Sequence, residues 1–253
     1  MSVRIVTVTA NPSLDRTAAV DGRVTRGGVH RLGHITSEPG GKGVNVARAI
    51  HMAGVNVETV LPADNTDPIV KGLAALGVPF VAVPTGAPVR SNLTITEADG
   101  TTSKFNELGA EWTPETADAF TKAIVDAAEG ATWVALSGSL PPGAPADWYP
   151  SMIAALRPLG VKIAVDTSDA PLQALAAGLP GAAPDLIKPN SEELGQLSGQ
   201  DGVALEASAE AGDLAPVLDA ARQLNEQGID FKDLKTTESS LEDIFVSLVR
   251  GDT

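Results

Sequence analysis

A glycine-rich segment, Pro39–Ala49, carries residue types that suit phosphate and hydroxyl binding. Three glycines surround Lys42, and an apolar stretch with helical character follows at once. Backbone N–H groups at a helix N-terminus carry partial positive charge and attract phosphates and hydroxyls. Lys42 adds a full charge, and Asn45 adds an amide that both donates and accepts hydrogen bonds. Taken alone, the segment fits equally well a glycine turn that only opens a helix.

Three further polar motifs each follow a short apolar run that is typical of a buried strand. In sheets of parallel strands, ligands bind beyond the carboxyl ends of the strands, so motifs in these places predict a binding site. A turn or capping role is the alternative for each of them. The three motifs are Thr9–Asp15, Ser137–Gly143 and Lys188–Leu194.

Along most of the chain, short β-branched runs alternate with alanine-rich helical patterns. Such alternation predicts parallel βαβ units with right-handed crossovers, and hence a doubly wound, mainly parallel α/β sheet. The predicted strands are Val3–Val8, Val55–Leu61, Pro79–Val83, Trp133–Leu136, Val161–Asp166 and Asp185–Ile187. The predicted helices are Val44–Ala53, Pro68–Leu76, Pro114–Ala128, Trp148–Leu156 and Leu214–Gln227.

The segment 89–107 breaks this alternation and predicts a hairpin around Asp99 and Gly100, in which Thr94 faces Lys104. This register gathers cations and amides on one face, which suits a phosphorylated sugar because Arg binds phosphate in bidentate fashion. A solvated polar face over a small core is the alternative. The side chains that share this face include Arg90, Asn92, Lys104 and Asn106.

The composition excludes several classes of partner and site. The 253 residues carry 18 basic and 32 acidic side chains, a net charge of −14, whereas nucleic acids and anionic membranes need clustered positive charge. The absence of cysteine excludes thiolate chemistry and Cys-type zinc sites, and the three histidines fit no metal-ligand spacing. No apolar run approaches the ~18 residues of a membrane span. We therefore expect a cytoplasmic protein that binds neither nucleic acid nor membrane.

Together the four motifs closely resemble the ribokinase-like (PfkB) family of sugar kinases, over roughly residues 1–230. Thr9–Asp15, the Gly-Gly-Lys-Gly-Val-Asn form of the loop and Lys104–Glu107 resemble its 1-phosphofructokinase branch. The resemblance implies a ribokinase-like α/β fold with a small β lid from about 12–38 and 88–108, often also a homodimer contact. It implies phosphorylation of fructose 1-phosphate at the 6-hydroxyl by ATP with Mg²⁺. Tagatose 6-phosphate is the close alternative substrate.

The resemblance also implies which residues meet which substrate. Asp15 accepts hydrogen bonds from sugar hydroxyls, Lys188 and Asp166 lie near the nucleotide, and an Asn-x-x-Glu motif, Asn190 with Glu193, places Mg²⁺ and the nucleotide phosphates. One carboxylate suffices there, since Mg²⁺ keeps several waters. The same residues fit a helix-capping box, and Asp166 fits a capping role. The implied sugar-phosphate residues are Asp15, Gly40, Gly41, Lys42, Asn45, Arg90, Asn92, Lys104, Asn106 and Ser137.

The family pattern is interrupted near residue 230. The family's catalytic base lies in a later Gly-Ala-Gly-Asp turn, and these 253 residues contain no such turn. The nearest string, Ala211–Asp213, lies too early and reads better as the start of a helix. We therefore expect no identifiable catalytic base, and phosphoryl transfer that is severely impaired or absent. A non-catalytic sugar-phosphate-binding protein is the alternative function.

Residues 231–253 depart from the family and predict an amphipathic helix over 240–250. Leu241, Ile244 and Leu248 share one helical face after a capping box. The string Leu-Glu-Asp-Ile-Phe resembles the C-terminal tail of ABC-transporter ATPases, and a plain amphipathic helix is the alternative. The segment predicts either a docking helix or a foreign extension beside a sheet with an uncovered edge.

Overall fold

The computed structural model describes residues 3–179 and 181–198, together with Asp219 and Arg222. The described residues form a central six-stranded sheet and a separate four-stranded sheet. In chain order the strands are β1 (Arg4–Thr9), β2 (Ser13–Ala19), β3 (Ile35–Gly40), β4 (Asn56–Pro62), β5 (Phe80–Val83), β6 (Arg90–Thr96), β7 (Thr102–Asn106), β8 (Trp133–Ser137), β9 (Lys162–Asp166) and β10 (Leu186–Ile187). The helices are α1 (Lys42–Met52), α2 (Pro68–Leu76), α3 (Pro114–Ala128), α4 (Trp148–Leu156), α5 (Asp169–Ala177) and α6 (Ser191–Ser198).

The central sheet has the strand order β10-β9-β8-β1-β4-β5, and all its neighbouring strands are parallel. This confirms the predicted α/β class with a mainly parallel sheet. Its two faces carry separate apolar cores. One core includes Phe120 of α3 and Tyr149 of α4, and the other includes Ile50 of α1 and Leu73 of α2. Fully burying a side chain such as Ile50 stabilises the fold by about 1.5–3 kcal/mol.

Strong local signals set the ends of several helices, and the predicted bounds of α2, α3 and α4 are confirmed to the residue. Asp67 caps α2 by accepting a hydrogen bond from the Ile69 N–H, and Gly77 ends the helix in the left-handed conformation, at φ 70°. Thr113 caps α3 in the same way, through the Thr116 N–H. Both helices have proline at their first position, where its missing N–H costs nothing.

The start of α1 differs from the prediction. The helix begins at Lys42 rather than Val44, and Gly40 belongs to β3 rather than to a loop. Gly41 alone turns the chain from strand into helix, with φ 106° and ψ 143°. Residues with a side chain rarely adopt these backbone angles, so glycine permits a single residue to connect β3 to α1.

The four-stranded sheet, hereafter the small sheet, has the order β3-β2-β6-β7. Strand β2 runs antiparallel to β3 and parallel to β6, and β6 pairs antiparallel with β7. The predicted hairpin register is confirmed, since Asn92 stands opposite Asn106 and Thr94 opposite Lys104. Residues on paired positions share a face, so the predicted polar face exists.

Part of the predicted organisation lies outside the described residues. This holds for the boundary near residue 230, the helix over 240–250 and any strand after residue 198. Within the helix predicted over Leu214–Gln227, Asp219 and Arg222 are described, and both have helical backbone. Among the described residues, no helix is both long and apolar enough to cross a bilayer.

Candidate functional site

The N-terminus of α1 lies directly against the carboxyl end of β1. A Cβ on Gly43 would stand 2.5 Å from both the Thr9 Oγ1 and the Val8 carbonyl oxygen, so only glycine allows this approach. Gly41, the N-cap residue, has no side chain to accept hydrogen bonds from the first turn. The N–H groups that open α1 therefore remain available to a ligand.

Asp15 of β2 is the centre of a hydrogen-bonded group on the small sheet. Its Oδ1 accepts hydrogen bonds from the Ser13 hydroxyl at 2.7 Å and from the Asn92 Nδ2 at 3.0 Å. Asn106 extends the same row of paired positions. Asp15 lies within a strand and not in a loop, so its oxygens face the polar side of the small sheet rather than stabilising a turn beside Pro12.

Arg90 brings a partly buried positive charge to this group. Its Nη1 donates a hydrogen bond to the Glu107 carbonyl at 3.2 Å. Burial lowers the pKa of the Arg90 guanidinium, and the negative charge of Asp15 opposes that change. An arginine stays protonated in proteins, so the side chain holds a partly desolvated cation that an anionic group of a ligand would stabilise.

In the part of the chain that the structure describes, seven buried polar side-chain atoms have no hydrogen-bond partner, and four of these belong to β6 of the small sheet or to the carboxyl ends of β1 and β8. Native proteins satisfy most buried polar atoms, so a cluster of unsatisfied ones marks places where a ligand or water binds. Three of the four residues, from two separate segments, were predicted as sugar-phosphate residues. The atoms are Arg90 Nε, Asn92 Oδ1, Ser137 Oγ and Thr9 Oγ1.

A second row of polar residues crosses the carboxyl ends of three central strands. Thr9 of β1 pairs with Ser137 of β8, which pairs with Asp166 of β9. The Lys42 Nζ donates a hydrogen bond to the Asp166 Oδ1 at 2.7 Å. This ion pair joins two residues that the family resemblance assigned to different substrates. It also leaves Asp166 without the capping role considered above, since the α5 N-cap is Ser168.

Thr9 and Asn11 were missed as individual site residues. Thr9 is buried on the same side of β1 as Thr7, and this alternation of hydroxyls in an otherwise apolar strand was the available signal. Asn11 donates a hydrogen bond to the Leu108 carbonyl at 2.9 Å. Together with Arg90, Trp112 and other residues, Asn11 lines a small cavity beside the small sheet.

The candidate nucleotide residues gather around Glu193 at the start of α6. The Glu193 Oε2 accepts the Asn190 N–H, and the Asn190 Oδ1 accepts the Glu193 N–H, both at 2.8 Å. The capping-box alternative is therefore confirmed. Burial raises the pKa of the Glu193 carboxyl, with Lys42, Asp166 and Lys188 acting on it through their charges. Glu193 is only 5% exposed.

These residues also fit a magnesium ion held mainly by phosphate oxygens and water. Within residues 3–179 and 181–198, no group of three or more His, Asp or Glu side chains could hold a metal alone. Mg²⁺ needs only one or two carboxylates when phosphates supply the other oxygens. A buried Glu193 carboxylate would gain from a nearby cation, since burial disfavours its charged form.

Other predicted residues lie at the margin of the site. Asn45 on the first turns of α1 and Lys104 and Asn106 on β7 are exposed. In the described ranges Lys104 forms no ion pair, so its charge is free to meet a ligand. Lys188 is half-buried after β10, near Glu193.

Comparison with known proteins decides the family. Residues 8–239 match the pfkB family carbohydrate kinases. The chain belongs to this family. A pfkB-family kinase transfers a phosphoryl group to an alcohol acceptor, and the polar groups of this pfkB chain meet at the carboxyl ends of its parallel strands.

Two curated relatives and one crystal structure show how far the likeness extends. This pfkB chain is 36% identical to a 1-phosphofructokinase of Rhodobacter capsulatus over 233 residues, which cover 90% of this chain and 69% of that protein. It is 34% identical to the Vibrio cholerae 1-phosphofructokinase over 203 residues, 79% of this chain and 62% of that protein. Phosphofructokinase-2 of Escherichia coli, crystallised with fructose-6-phosphate, is 25% identical with a TM-score of 0.81, over 98% and 88% of the two chains. The chain thus spans only part of the length of its relatives.

Proposed function

We propose that this chain binds a phosphorylated ketose between the polar face of the small sheet and the N-terminus of α1, with Mg²⁺-ATP beside Glu193. The reaction that fits these substrates is transfer of the γ-phosphoryl group to the 6-hydroxyl of fructose 1-phosphate, which gives fructose 1,6-bisphosphate. The names of the two 1-phosphofructokinase relatives support this choice of acceptor.

The observation that carries the proposal is the cluster of unsatisfied polar atoms. Arg90 Nε and Asn92 Oδ1 belong to β6 of the small sheet and Ser137 Oγ to β8 of the central sheet, yet all three are buried without a partner among the described residues. A sugar phosphate offers hydroxyls that both donate and accept, and an anionic group for the guanidinium. It would satisfy the amide, the hydroxyl and the cation together, whereas an apolar ligand would satisfy none of them.

In this arrangement each residue has a distinct task. The Asp15 Oδ2 accepts a hydrogen bond from a sugar hydroxyl, since the Oδ1 already accepts hydrogen bonds from Ser13 and Asn92. Arg90 and Lys104 neutralise the phosphate that the sugar carries before the reaction. The α1 N–H groups and Lys42 lie between the sugar and the nucleotide side. ATP bound with Mg²⁺ supplies the phosphoryl group, and Glu193 with Asn190 would hold the metal-bound phosphates.

We propose that these 253 residues bind ligand without rapid turnover. They contain no Gly-Ala-Gly-Asp turn, the turn in which the resemblance places the general base. Loss of a general base alone costs about 10²–10⁴ in rate, and loss of backbone donors to the transferred group costs more. We therefore expect the chain to bind its substrates although it transfers the phosphoryl group slowly.

Fructose 6-phosphate is a second candidate acceptor. The Escherichia coli phosphofructokinase-2 whose structure resembles this chain was crystallised with that sugar. Tagatose 6-phosphate is a third candidate. The three sugars differ in the position of the phosphate or of one hydroxyl, so competition among them identifies the acceptor.

We also propose that two copies associate through the apolar face of the small sheet. Leu93, Ile95 and Phe105 stand on that face, opposite the Asp15 row, and Phe105 is 56% exposed. Sedimentation of the wild type and of Phe105→Ser tests this directly. A dimer that Phe105→Ser dissociates is expected, and a wild-type monomer at micromolar concentration contradicts it.

Thermal unfolding of the full chain tests the binding proposal. A ligand that binds only the folded state must raise the midpoint, so fructose 1-phosphate and Mg²⁺-ATP are each expected to do so. Asp15→Asn should abolish the shift with the sugar phosphate and keep the shift with Mg²⁺-ATP. Asp126→Asn, on an exposed stretch of α3, is the matched control. A wild type whose midpoint responds to none of the three sugar phosphates would refute the proposal.

A further inference from the structure

The carbonyl of Gly138 receives two hydrogen bonds from buried hydroxyls. The Tyr149 hydroxyl of α4 donates to it at 2.6 Å, and the Thr167 Oγ1 donates at 3.1 Å. Tyr149 is 0% exposed and Thr167 is 2% exposed. The Gly138 N–H in turn donates to the Asp166 carbonyl at 2.8 Å. Both ends of this glycine are therefore held by the surrounding fold.

The conformation of Gly138 requires this support. Its φ is +105°, which only glycine adopts readily, and it lies where β8 gives way to the loop before α4. In a trans peptide the N–H points away from the C=O of the same unit. The carbonyl of Gly138 points to Tyr149, so the N–H of Ser139 points to the opposite side of the chain.

Gly138 lies beside the candidate site. The nearest atom to a Cβ built on Gly138 is the Lys42 Cβ, at 4.0 Å, on the first turn of α1. Ser139 is exposed, and among the described residues its N–H has no acceptor. The neighbouring Ser137 Oγ is buried and unsatisfied. The Ser139 N–H thus directly follows the residue that approaches the start of α1.

We propose that Tyr149 and Thr167 are positioning residues that aim the Ser139 N–H at a phosphate oxygen of the bound sugar phosphate. This inference rests on the proposed function and adds to it a donor that no side chain provides. A hydrogen bond from a fixed backbone N–H to an ionised phosphate is stronger than a neutral one. Two buried donors on one carbonyl keep the peptide unit from rotating, so the donor is in place before the ligand arrives.

Tyr149 suits this task throughout the physiological pH range. Burial raises the pKa of its phenol above the usual value, so the hydroxyl stays protonated and remains a donor. The ring packs edge-on against Trp148 at 5.2 Å between centroids, which holds the hydroxyl in one direction. Phenylalanine would keep this packing and remove the donor alone.

The test compares Tyr149→Phe, Thr167→Val and the double variant in the full chain. The measured quantity is the ratio of the dissociation constants for fructose and fructose 1-phosphate, which isolates the contribution of the phosphate. Each single variant should lower this ratio about threefold, and the double variant about tenfold or more, because a hydrogen bond to a charged group contributes ~1.5–3 kcal/mol. Affinity for unphosphorylated fructose should not change. If Tyr149 and Thr167 had a purely structural role, the substitutions would lower the melting temperature and weaken the binding of both sugars equally.

Thr59→Val is the matched control, since the Thr59 Oγ1 is buried and has no partner in the described ranges. This variant should leave the ratio unchanged. If the double variant also leaves it unchanged while the wild type binds fructose 1-phosphate, the inference is wrong and the proposed function stands.

A second measurement separates the inference from the proposed function. In ¹⁵N-serine-labelled chain, inorganic phosphate should shift the Ser139 amide resonance of the wild type, and this shift should vanish in the double variant. That result supports the inference even if no sugar phosphate binds. If phosphate does not shift the Ser139 amide resonance of the wild type, the inference is wrong.

Discussion

The carboxylate of Asp15 occupies the space that a side chain on Gly40 would need. A Cβ on Gly40 would stand 2.1 Å from the Asp15 Oδ2, far inside van der Waals contact. The two residues sit on the paired strands β2 and β3, two positions apart in register, since Gly40 stands opposite Ser13. Gly40 therefore leaves the space that the Asp15 carboxylate occupies, and Gly41 after it leaves the N–H groups of α1 exposed.

Gly40→Ala should displace Asp15 and weaken sugar-phosphate binding at least about tenfold, because the overpacked site costs about 1–3 kcal/mol and moves the hydrogen-bond acceptor. Titration of fructose 1-phosphate against intrinsic fluorescence measures this, since Trp112 lines the adjacent cavity. Gly33→Ala is the control, because a Cβ on Gly33 meets no atom within 4 Å. Equal affinity in the Gly40 and Gly33 variants would refute this role.

The Lys42–Asp166 ion pair should contribute little to stability and much to ligand binding. The Lys42 side chain is 48% exposed and that of Asp166 is 14% exposed, so solvent screens the pair. Lys42→Met should lower the free energy of unfolding by less than about 1 kcal/mol, as exposed ion pairs do. It should nevertheless reduce the thermal shift that Mg²⁺-ATP produces. Lys122→Met removes another exposed pair, on α3, and should leave the shift intact. An unaltered shift in Lys42→Met would assign the lysine a structural role only.

The ionisation of Glu193 should make stability fall as the pH rises. Burial holds its pKa in the folded chain above the value of 4.5 that applies when the chain is unfolded. Between these two pKa values the folded chain binds more protons, so the free energy of unfolding decreases with rising pH in that window and is constant above it. Glu193→Gln removes this decrease.

Urea unfolding at a series of pH values measures the effect. The stability of Glu193→Gln relative to wild type should increase with pH through the window and then level off. Glu192→Gln is the control, because Glu192 is the exposed neighbour on the same helix. Parallel pH profiles for wild type and Glu193→Gln would contradict the assignment.

Asp67 should couple the stability of α2 to the placement of the small sheet. Its Oδ1 accepts the Ile69 N–H at 3.0 Å, and its Oδ2 accepts the Val89 N–H, just before Arg90, at 2.9 Å. Asp67→Ala should cost about 2–4 kcal/mol, since it removes a helix cap and leaves a partly buried N–H unsatisfied. It should also weaken fructose 1-phosphate binding. Thr113→Ala, which removes only the cap of α3, should cost about 1 kcal/mol and leave binding unchanged. Equal effects of the two variants on binding would disprove the coupling.

Local patterns predict the features whose stabilising contacts lie close together in the sequence. Asp67 and Pro68 start α2, and Gly77 ends it, so three local signals define one helix. The register of the β6–β7 hairpin follows from its turn and from its alternating faces, and it too is confirmed. The residues of the four motifs also lead to the pfkB family, which the comparison of residues 8–239 confirms.

The sequence by itself therefore determined the class of fold, the ends of the strongly capped helices and the kinase family, because short-range capping, turn and alternation rules govern these features. Only the tertiary structure decided that Lys42 meets Asp166, which is 124 residues away. It likewise decided that the Asp15 carboxylate faces Gly40 and that Tyr149 holds the carbonyl of Gly138. Such contacts depend on how distant strands are ordered and paired, and no periodicity within a segment carries that information.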